Sequence, residues 1–135
     1  MFAGVTVLEG TQGIDQMAGV LRELGHPDFL TSMISQSAGE REFRGVEGFR
    51  EALSDWISPY ESFRLEVEDV LSNDDKVVFL ARQVATTRHD AVEVATESAS
   101  VWRIRDGLVS QVTFYLDRQM ALKAAGIDPD RPSGD

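Results

Sequence analysis

A change in hydrophobic period at residue 63 is the strongest constraint on the fold of this chain. The segment "FRLEVE" sends Phe63, Leu65 and Val67 to one side and charged residues to the other, a pattern typical of a half-buried strand. The runs "VVFLARQVA", "AVEVATESASVWRI" and "LVSQVTFYL" follow, separated by the turn segments "SNDDK", "TTRHD" and "RDG". Four strands joined by short turns predict an antiparallel meander.

Helical spacing dominates the chain before the meander. Apolar residues recur at steps of three and four over residues 14–24 and again over residues 43–60, which predicts two amphipathic helices. The segment between them starts with "HPDFLTSMIS", a turn followed by apolar and β-branched residues typical of a short strand, and continues with "QSAGERE", which predicts a polar loop. After the last strand, Asp117 is placed to cap a closing helix, "RQMALKAA", and Gly126 to end it.

These elements predict an α+β domain: a cone-shaped, curved antiparallel sheet with helices packed on its concave face. We expect one domain over residues 1–127 and a flexible C-terminal tail over residues 128–135. Helices on one side leave the outer face of the sheet uncovered, and a set of large residues shares the parity of that face. The sequence therefore predicts a homodimer through the outer face. The residues concerned are Val78, Leu80, Val84, Val101 and Tyr115.

Composition excludes several function classes. The 13 basic residues against 23 acidic ones give a net charge of −10, which repels nucleic acid and anionic lipid. No apolar run approaches the roughly 20 residues that cross a bilayer, and the start lacks a basic leader, so we expect a cytoplasmic protein. There is no cysteine, and the two histidines, His26 and His89, lie far apart. No metal and no cofactor is predicted.

The runs "FRGVEGFREALSDWI", "FRLEVEDVLSNDDKVVFLARQ" and "ASVWRIRDGLVSQVTFYLDRQMALKAAGI" resemble the SnoaL-like polyketide cyclase family of the nuclear transport factor 2-like superfamily. The resemblance covers residues 43–127, and the region before it looks shortened at the first helix. It implies the cone fold and a pocket for a small apolar molecule. Isomerases, hydrolases, cyclases and non-catalytic binders all use this fold, so the resemblance does not choose among activities.

The catalytic positions of the resembled enzymes carry no acid or base in this sequence. The last-strand acid of the cyclases and limonene epoxide hydrolases aligns with Phe114, and the Arg and Asp of the hydrolases align with Ala81 and Gln83. The two acids of the ketosteroid isomerases align with Met33 and Ser100. Strand parity agrees, because the residues expected on the concave face are almost all apolar. General acid–base catalysis needs a titratable group there, and we predict no catalytic residue.

The first hypothesis is therefore a protein that binds a small apolar molecule inside its cone. Gln83 and Tyr60 are the expected polar contacts, and apolar side chains form the walls. The predicted ligand-binding residues are Met33, Trp56, Tyr60, Phe79, Gln83, Ser100, Trp102 and Phe114.

Two other hypotheses stay open. The first is an isomerase, cyclase or hydrolase of a small hydrophobic metabolite, whose acid or base would come from Asp117, Asp55, His89 or Glu97. The second is a non-catalytic dimeric assembly domain whose pocket is filled by its own side chains. A helix cap is the more ordinary role for Asp117, and a solvated turn is the more ordinary place for His89.

Overall fold

The described residues form one seven-stranded sheet and three helices. A computed structural model describes residues 6–35 and 39–127. The strands are β1 Thr6–Glu9, β2 Gly25–Ser35, β3 Gly39–Arg44, β4 Tyr60–Asn73, β5 Lys76–Thr87, β6 Glu93–Arg105 and β7 Leu108–Tyr115. The helices are α1 Gly10–Leu24, α2 Gly45–Ile57 and α3 Arg118–Ala124. In space the strands run in the order β1-β4-β5-β6-β7-β2-β3.

The predicted meander is confirmed as β4-β5-β6-β7, antiparallel at each step. Its register places Ala81 opposite Val67 on one side and opposite Ser98 on the other. Between the Val67–Ala81 and Asp69–Leu80 pairs, β4 carries one extra residue. Such a bulge bends a strand and increases its local twist, which helps to curve the sheet into a cone.

Helices α1 and α2 pack on the concave face, as the period-3.6 patterns predicted. Phe49 and Leu21 are fully buried there, in a cluster that also takes in Phe29 from β2 and Val112 from β7. Burial of one apolar stripe on each helix is the main stabilising interaction of such short helices. The prediction for residues 14–24 was short by one turn, since α1 begins at Gly10.

Helix α3 packs on the opposite, outer face of the sheet, whereas the sequence pattern predicted helices on the concave face. Ala121, Leu122 and Ala125 form a second buried cluster with outer-face residues that include Val78 and Tyr115. The chain thus covers with its own C-terminal helix part of the surface that was expected to need a second subunit.

Both ends of α3 are fixed. The Asp117 carboxylate accepts hydrogen bonds from the backbone N–H groups of Gln119 and Met120, at 2.9 and 3.3 Å, so the predicted N-cap is confirmed. Gly126 ends the helix with a φ of 75°, as predicted from its freedom to adopt left-handed backbone. The Asn73 side chain donates to the carbonyl oxygen of Ala125 at 2.9 Å and holds this end against the β4–β5 turn.

Two edge strands differ from the sequence prediction. Residues 39–42 belong to β3 rather than to a polar loop, because β3 pairs with β2 from Leu30–Arg44 to Ser35–Gly39. Strand β1 was not predicted and pairs with β4. The sheet is also not wholly antiparallel, since β2 runs parallel to β7. Residues 36–38 of the expected loop and the expected tail, 128–135, lie outside the described residues, and a single domain over 1–127 stays a prediction.

Candidate functional site

A cavity of about 390 Å³ lies between the concave face of the sheet and helices α1 and α2. Strands β4, β5, β6 and β7 form its floor, and the two helices form its roof. The side chains that line it are almost all apolar. The lining comprises Gly10, Gly13, Ile14, Met17, Val20, Leu53, Trp56, Ile57, Phe63, Leu65, Val67, Val77, Phe79, Ala81, Ser98, Ala99, Ser100, Trp102, Ile104, Val109 and Phe114.

Aromatic rings frame the cavity. Trp56 on α2 meets Phe114 on β7 edge-to-face, with ring centroids 5.4 Å apart and planes at 80°. Phe79 on β5 meets Trp102 on β6 in a similar arrangement, at 5.6 Å and 69°. Edge-to-face pairs stabilise one another beyond the area they bury. Side chains from three strands and a helix therefore pack against one another in the cavity wall.

The polar groups of the lining lie in one row on β6. Ser98, Ser100 and Trp102 alternate along the strand, so all three project to the same side. The indole Nε1–H of Trp102 donates a hydrogen bond of 2.9 Å to Oγ of Ser100. This contact occupies a lone pair of the hydroxyl oxygen and leaves its hydrogen available as a donor.

No ionisable side chain occurs among the described residues that line the cavity. Asp117 caps α3, and Glu97 forms an ion pair with Arg118 and is 74% exposed. Asp55 lies 4.0 Å from Arg41 on the surface, and His89 is exposed in the β5–β6 turn. None of the four candidates for an unusual acid or base is therefore among the residues that line the cavity.

The described part of the chain also contains no group of three or more Asp, Glu, His or Cys residues that could hold a metal ion. The helices within it are too short or too polar to pass through a lipid bilayer. One carboxyl group that does not line the cavity is perturbed: the hydrogen bond from Lys76 to Asp75 lowers the pKa of Asp75. Asp75 is exposed in the β4–β5 turn, with half of its side-chain surface, 50%, accessible to solvent.

Five of the eight predicted ligand-binding residues line the cavity. They are Trp56, Phe79, Ser100, Trp102 and Phe114. The other three lie beside it. Met33 packs against the concave core cluster, and the ring of Tyr60 contacts that of Phe63 at 6.1 Å. Gln83 is buried between Leu65 and Thr96 in register, one inward position beyond Ala81.

The residues that α1 and β4 contribute to the cavity were not predicted from the sequence. Met17 and Val20 come from α1, and Leu65 and Val67 come from β4. The alternation of "FRLEVE" had identified the inward row of β4 but not its distance from the helices. Ser98 was also missed, although it shares parity with Ser100.

Comparison with protein families decides the identity of this fold. The family model described as a SnoaL-like domain matches residues 11–112, more than half of the chain. The chain belongs to this SnoaL-like family. Curated proteins give no match.

Solved structures agree with that SnoaL-like fold. A putative SnoaL-like polyketide cyclase from Jannaschia sp. CCS1 is 20% identical, with a TM-score of 0.63 over 85% of this chain and 82% of its own. A hypothetical protein from Catenulispora acidiphila with a ketosteroid isomerase-like fold, in complex with trimethylamine, is 16% identical, with a TM-score of 0.59 over 85% of this chain and 86% of its own. TerC, co-crystallised with polyporic acid, is 18% identical, with a TM-score of 0.61 over 82% and 86%. At these identities the likeness establishes the fold alone.

Proposed function

We propose that this SnoaL-like protein binds a small, neutral, predominantly apolar molecule in its cone and does so without an acid–base residue. The observation that carries the proposal is the lining itself, in which the described residues include no ionisable side chain. Transfer of a charged ligand into such a site would leave its charge without a partner, which is strongly unfavourable. A neutral ligand meets no such penalty.

The size of the cavity supports a ligand rather than a filled core. Its volume of about 390 Å³ falls within the range of roughly 300–1,000 Å³ of ordinary small-molecule sites. Native interiors seldom leave a void of this size, because voids forfeit packing contacts. An assembly domain with a collapsed pocket is therefore the weaker hypothesis.

We assign the polar contact of the ligand to Ser100. Its hydroxyl accepts from Trp102 and is left with a hydrogen to donate, so the complementary ligand group is a hydrogen-bond acceptor such as a carbonyl or ether oxygen. Phe79 and Phe114 lie opposite Ser100 on the two neighbouring strands. An aromatic or other flat apolar skeleton would pack against these rings. Met33, Tyr60 and Gln83 stay predicted contacts.

Two structural neighbours are consistent with small-molecule binding. The Catenulispora acidiphila protein holds trimethylamine, and TerC was co-crystallised with polyporic acid. These ligands differ in size and chemistry, so neither identifies the ligand of this chain.

The two tryptophans of the chain provide the test. Trp56 and Trp102 both lie on the cavity wall, so tryptophan fluorescence, excited selectively over that of tyrosine, reports on this wall. Titration with the neutral apolar dye N-phenylnaphthylamine is expected to quench this fluorescence to saturation and to sensitise dye emission. Absence of saturable binding, by this dye and by a panel of neutral aromatic ketones, would contradict the proposal.

A pair of alanine variants controls this experiment. Ala81→Leu adds bulk to the cavity floor and is expected to weaken dye binding about tenfold or more, since overpacking there displaces ligand. Ala124→Leu adds the same bulk at an exposed position of α3 and is expected to leave binding unchanged. Equal affinities for the two variants would place the dye outside the cone.

An enzyme acting on a small hydrophobic metabolite is the competing proposal. It requires a proton-transferring group within about 3 Å of the reacting atom.

The homodimer and the cytoplasmic location also stay predictions. The apolar basis of the dimer is smaller than the sequence suggested, because α3 covers Val78, Val101 and Tyr115.

A further inference from the structure

Arg118, the first residue of α3, lies across the outer side of β5 and β6 with 22% of its side chain exposed. Its Nη2 group donates to the carbonyl oxygen of Ala81 at 2.6 Å and to the carboxylate of Glu68. Its Nε group donates to the carbonyl oxygen of Ser98 at 3.4 Å, and Nη1 lies 3.3 Å from Oε2 of Glu97. One guanidinium group therefore joins the helix to three strands.

The guanidinium meets the sheet where regular pairing is interrupted. On the β4 side, the bulge at Glu68 shifts the register next to Ala81. On the β7 side, the ladder with β6 ends at the Ala99–Tyr115 pair, just before Ser98. Interrupted pairing leaves backbone groups that need other partners. Arg118 supplies donors on both sides of this short stretch.

Ala81 and Ser98 are also part of the cavity floor. They face each other in the β5–β6 register, and the side chains of both line the cavity. Their carbonyl groups are thus held from the outer side of the sheet while their side chains form the inner wall. A shift of this pair would displace the row that continues to Ser100 and Trp102.

We propose that Arg118 is a positioning residue for the ligand cavity, which fixes the Ala81–Ser98 pair through its own hydrogen bonds and thereby supports ligand affinity. The inference rests on the proposed function of the cavity. The planar guanidinium, held by two carboxylates, reaches two carbonyl groups at once, whereas a lysine would present a single ammonium group. Holding both carbonyl groups therefore requires the planar, multi-donor guanidinium of Arg118 and not only its positive charge.

The test compares dye affinity and folding stability in matched variants. Arg118→Met and Arg118→Lys are expected to weaken N-phenylnaphthylamine binding about three- to tenfold at a temperature where each variant is fully folded. Arg103→Met makes the same change in an arginine of β6 that lies 3.8 Å from Asp75, and it is expected to keep wild-type affinity. Leu122→Ala removes outer-face packing of α3 and is expected to lower the melting temperature without lowering affinity.

Backbone hydrogen exchange in the unliganded protein gives a second, ligand-independent readout. Faster exchange in the segments around Ala81 and Ser98 is expected in Arg118→Met and not in Arg103→Met. Wild-type affinity in Arg118→Met, beside a wild-type protein that binds the dye, would overturn this inference alone. Failure of the wild-type protein to bind any probe would instead overturn the proposed function, and unchanged exchange would overturn the positioning role.

Discussion

Two buried polar side chains on the sheet have an oxygen without a partner in the described part of the chain. They are Gln83, 5% exposed, and Thr31, fully buried. A buried acceptor without a donor typically destabilises the folded state by about 1–3 kcal/mol. Gln83 lies one inward position from the cavity floor, whereas Thr31 lies on β2, away from the lining residues. Gln83 is therefore the candidate for a ligand contact, and Thr31 is a matched control for the effect of an unpaired oxygen on stability alone.

Replacement of each residue by an apolar group of similar shape tests this difference. Gln83→Met and Thr31→Val are both expected to raise the free energy of unfolding by about 1 kcal/mol, because each removes the unpaired oxygen. Chemical denaturation measures the change. If Gln83 contacts the ligand, as the sequence predicted, Gln83→Met also weakens dye binding while Thr31→Val does not. Equal affinities would assign Gln83 to the core.

Strand parity predicted the direction of individual side chains well. Phe114 points into the cone and Tyr115 points out, as the alternation of "LVSQVTFYL" required. Parity cannot say how far along a strand the helices reach. For that reason Gln83 shares the inward row with Ala81 and yet lies beyond the described lining.

Among the elements, α3 shows where sequence patterns stop being informative. Its cap at Asp117 and its end at Gly126 were readable because capping is local chemistry. The face of the sheet on which α3 packs could not be predicted. Both faces of the sheet carry apolar residues, and the stripe of Ala121, Leu122 and Ala125 could pack against either one. Strand β3 was hidden for a related reason, since "GEREFR" is polar and becomes a strand by pairing at an edge.

The cap of α3 leads to a test with an internal control. Asp117→Ala removes the acceptor of two backbone hydrogen bonds and is expected to lower the free energy of unfolding by about 1 kcal/mol. Asp117→Asn keeps an acceptor at the N-cap and is expected to retain most of the stability. Thermal denaturation of both variants measures the difference.

The same pair of variants also addresses the enzymatic alternative. If Asp117 acted as a proton-transferring group, Asp117→Asn would lose catalytic activity although its side chain still caps α3. A variant that keeps wild-type stability and ligand binding but loses turnover of a metabolite would contradict the assignment of Asp117 as a structural cap.

For the whole molecule, the lining predicts binding that does not depend on pH. A protonation step changes affinity only if a titrating group interacts differently with the free and bound states. We expect a constant affinity for N-phenylnaphthylamine from about pH 5 to about pH 8, the range in which histidines and raised carboxyl groups titrate. A sigmoidal change of affinity in that range, with the protein still folded, would place an ionisable group at the ligand.

The stability of the fold is expected to change with pH in a lower range than the one used to measure ligand binding. The carboxyl group of Asp75 has its pKa lowered by the hydrogen bond from Lys76. Its contribution to stability is therefore present above the ordinary aspartate range and is lost as the pH falls through the lowered value. That transition lies below the range of the binding measurement, so the two effects do not overlap.

The strand order has a consequence for synthesis on the ribosome. The two sides of the sheet that flank the meander come from the N-terminal third of the chain, with β1 beside β4 and the β2–β3 pair beside β7. Leu30 of β2 pairs with Gln111 of β7, so β2 leaves the ribosome long before its partner strand has been made. A nascent chain stopped before residue 108 would leave the β7-facing side of β2 unpaired, and an unpaired strand edge of this kind favours aggregation until β7 has been made.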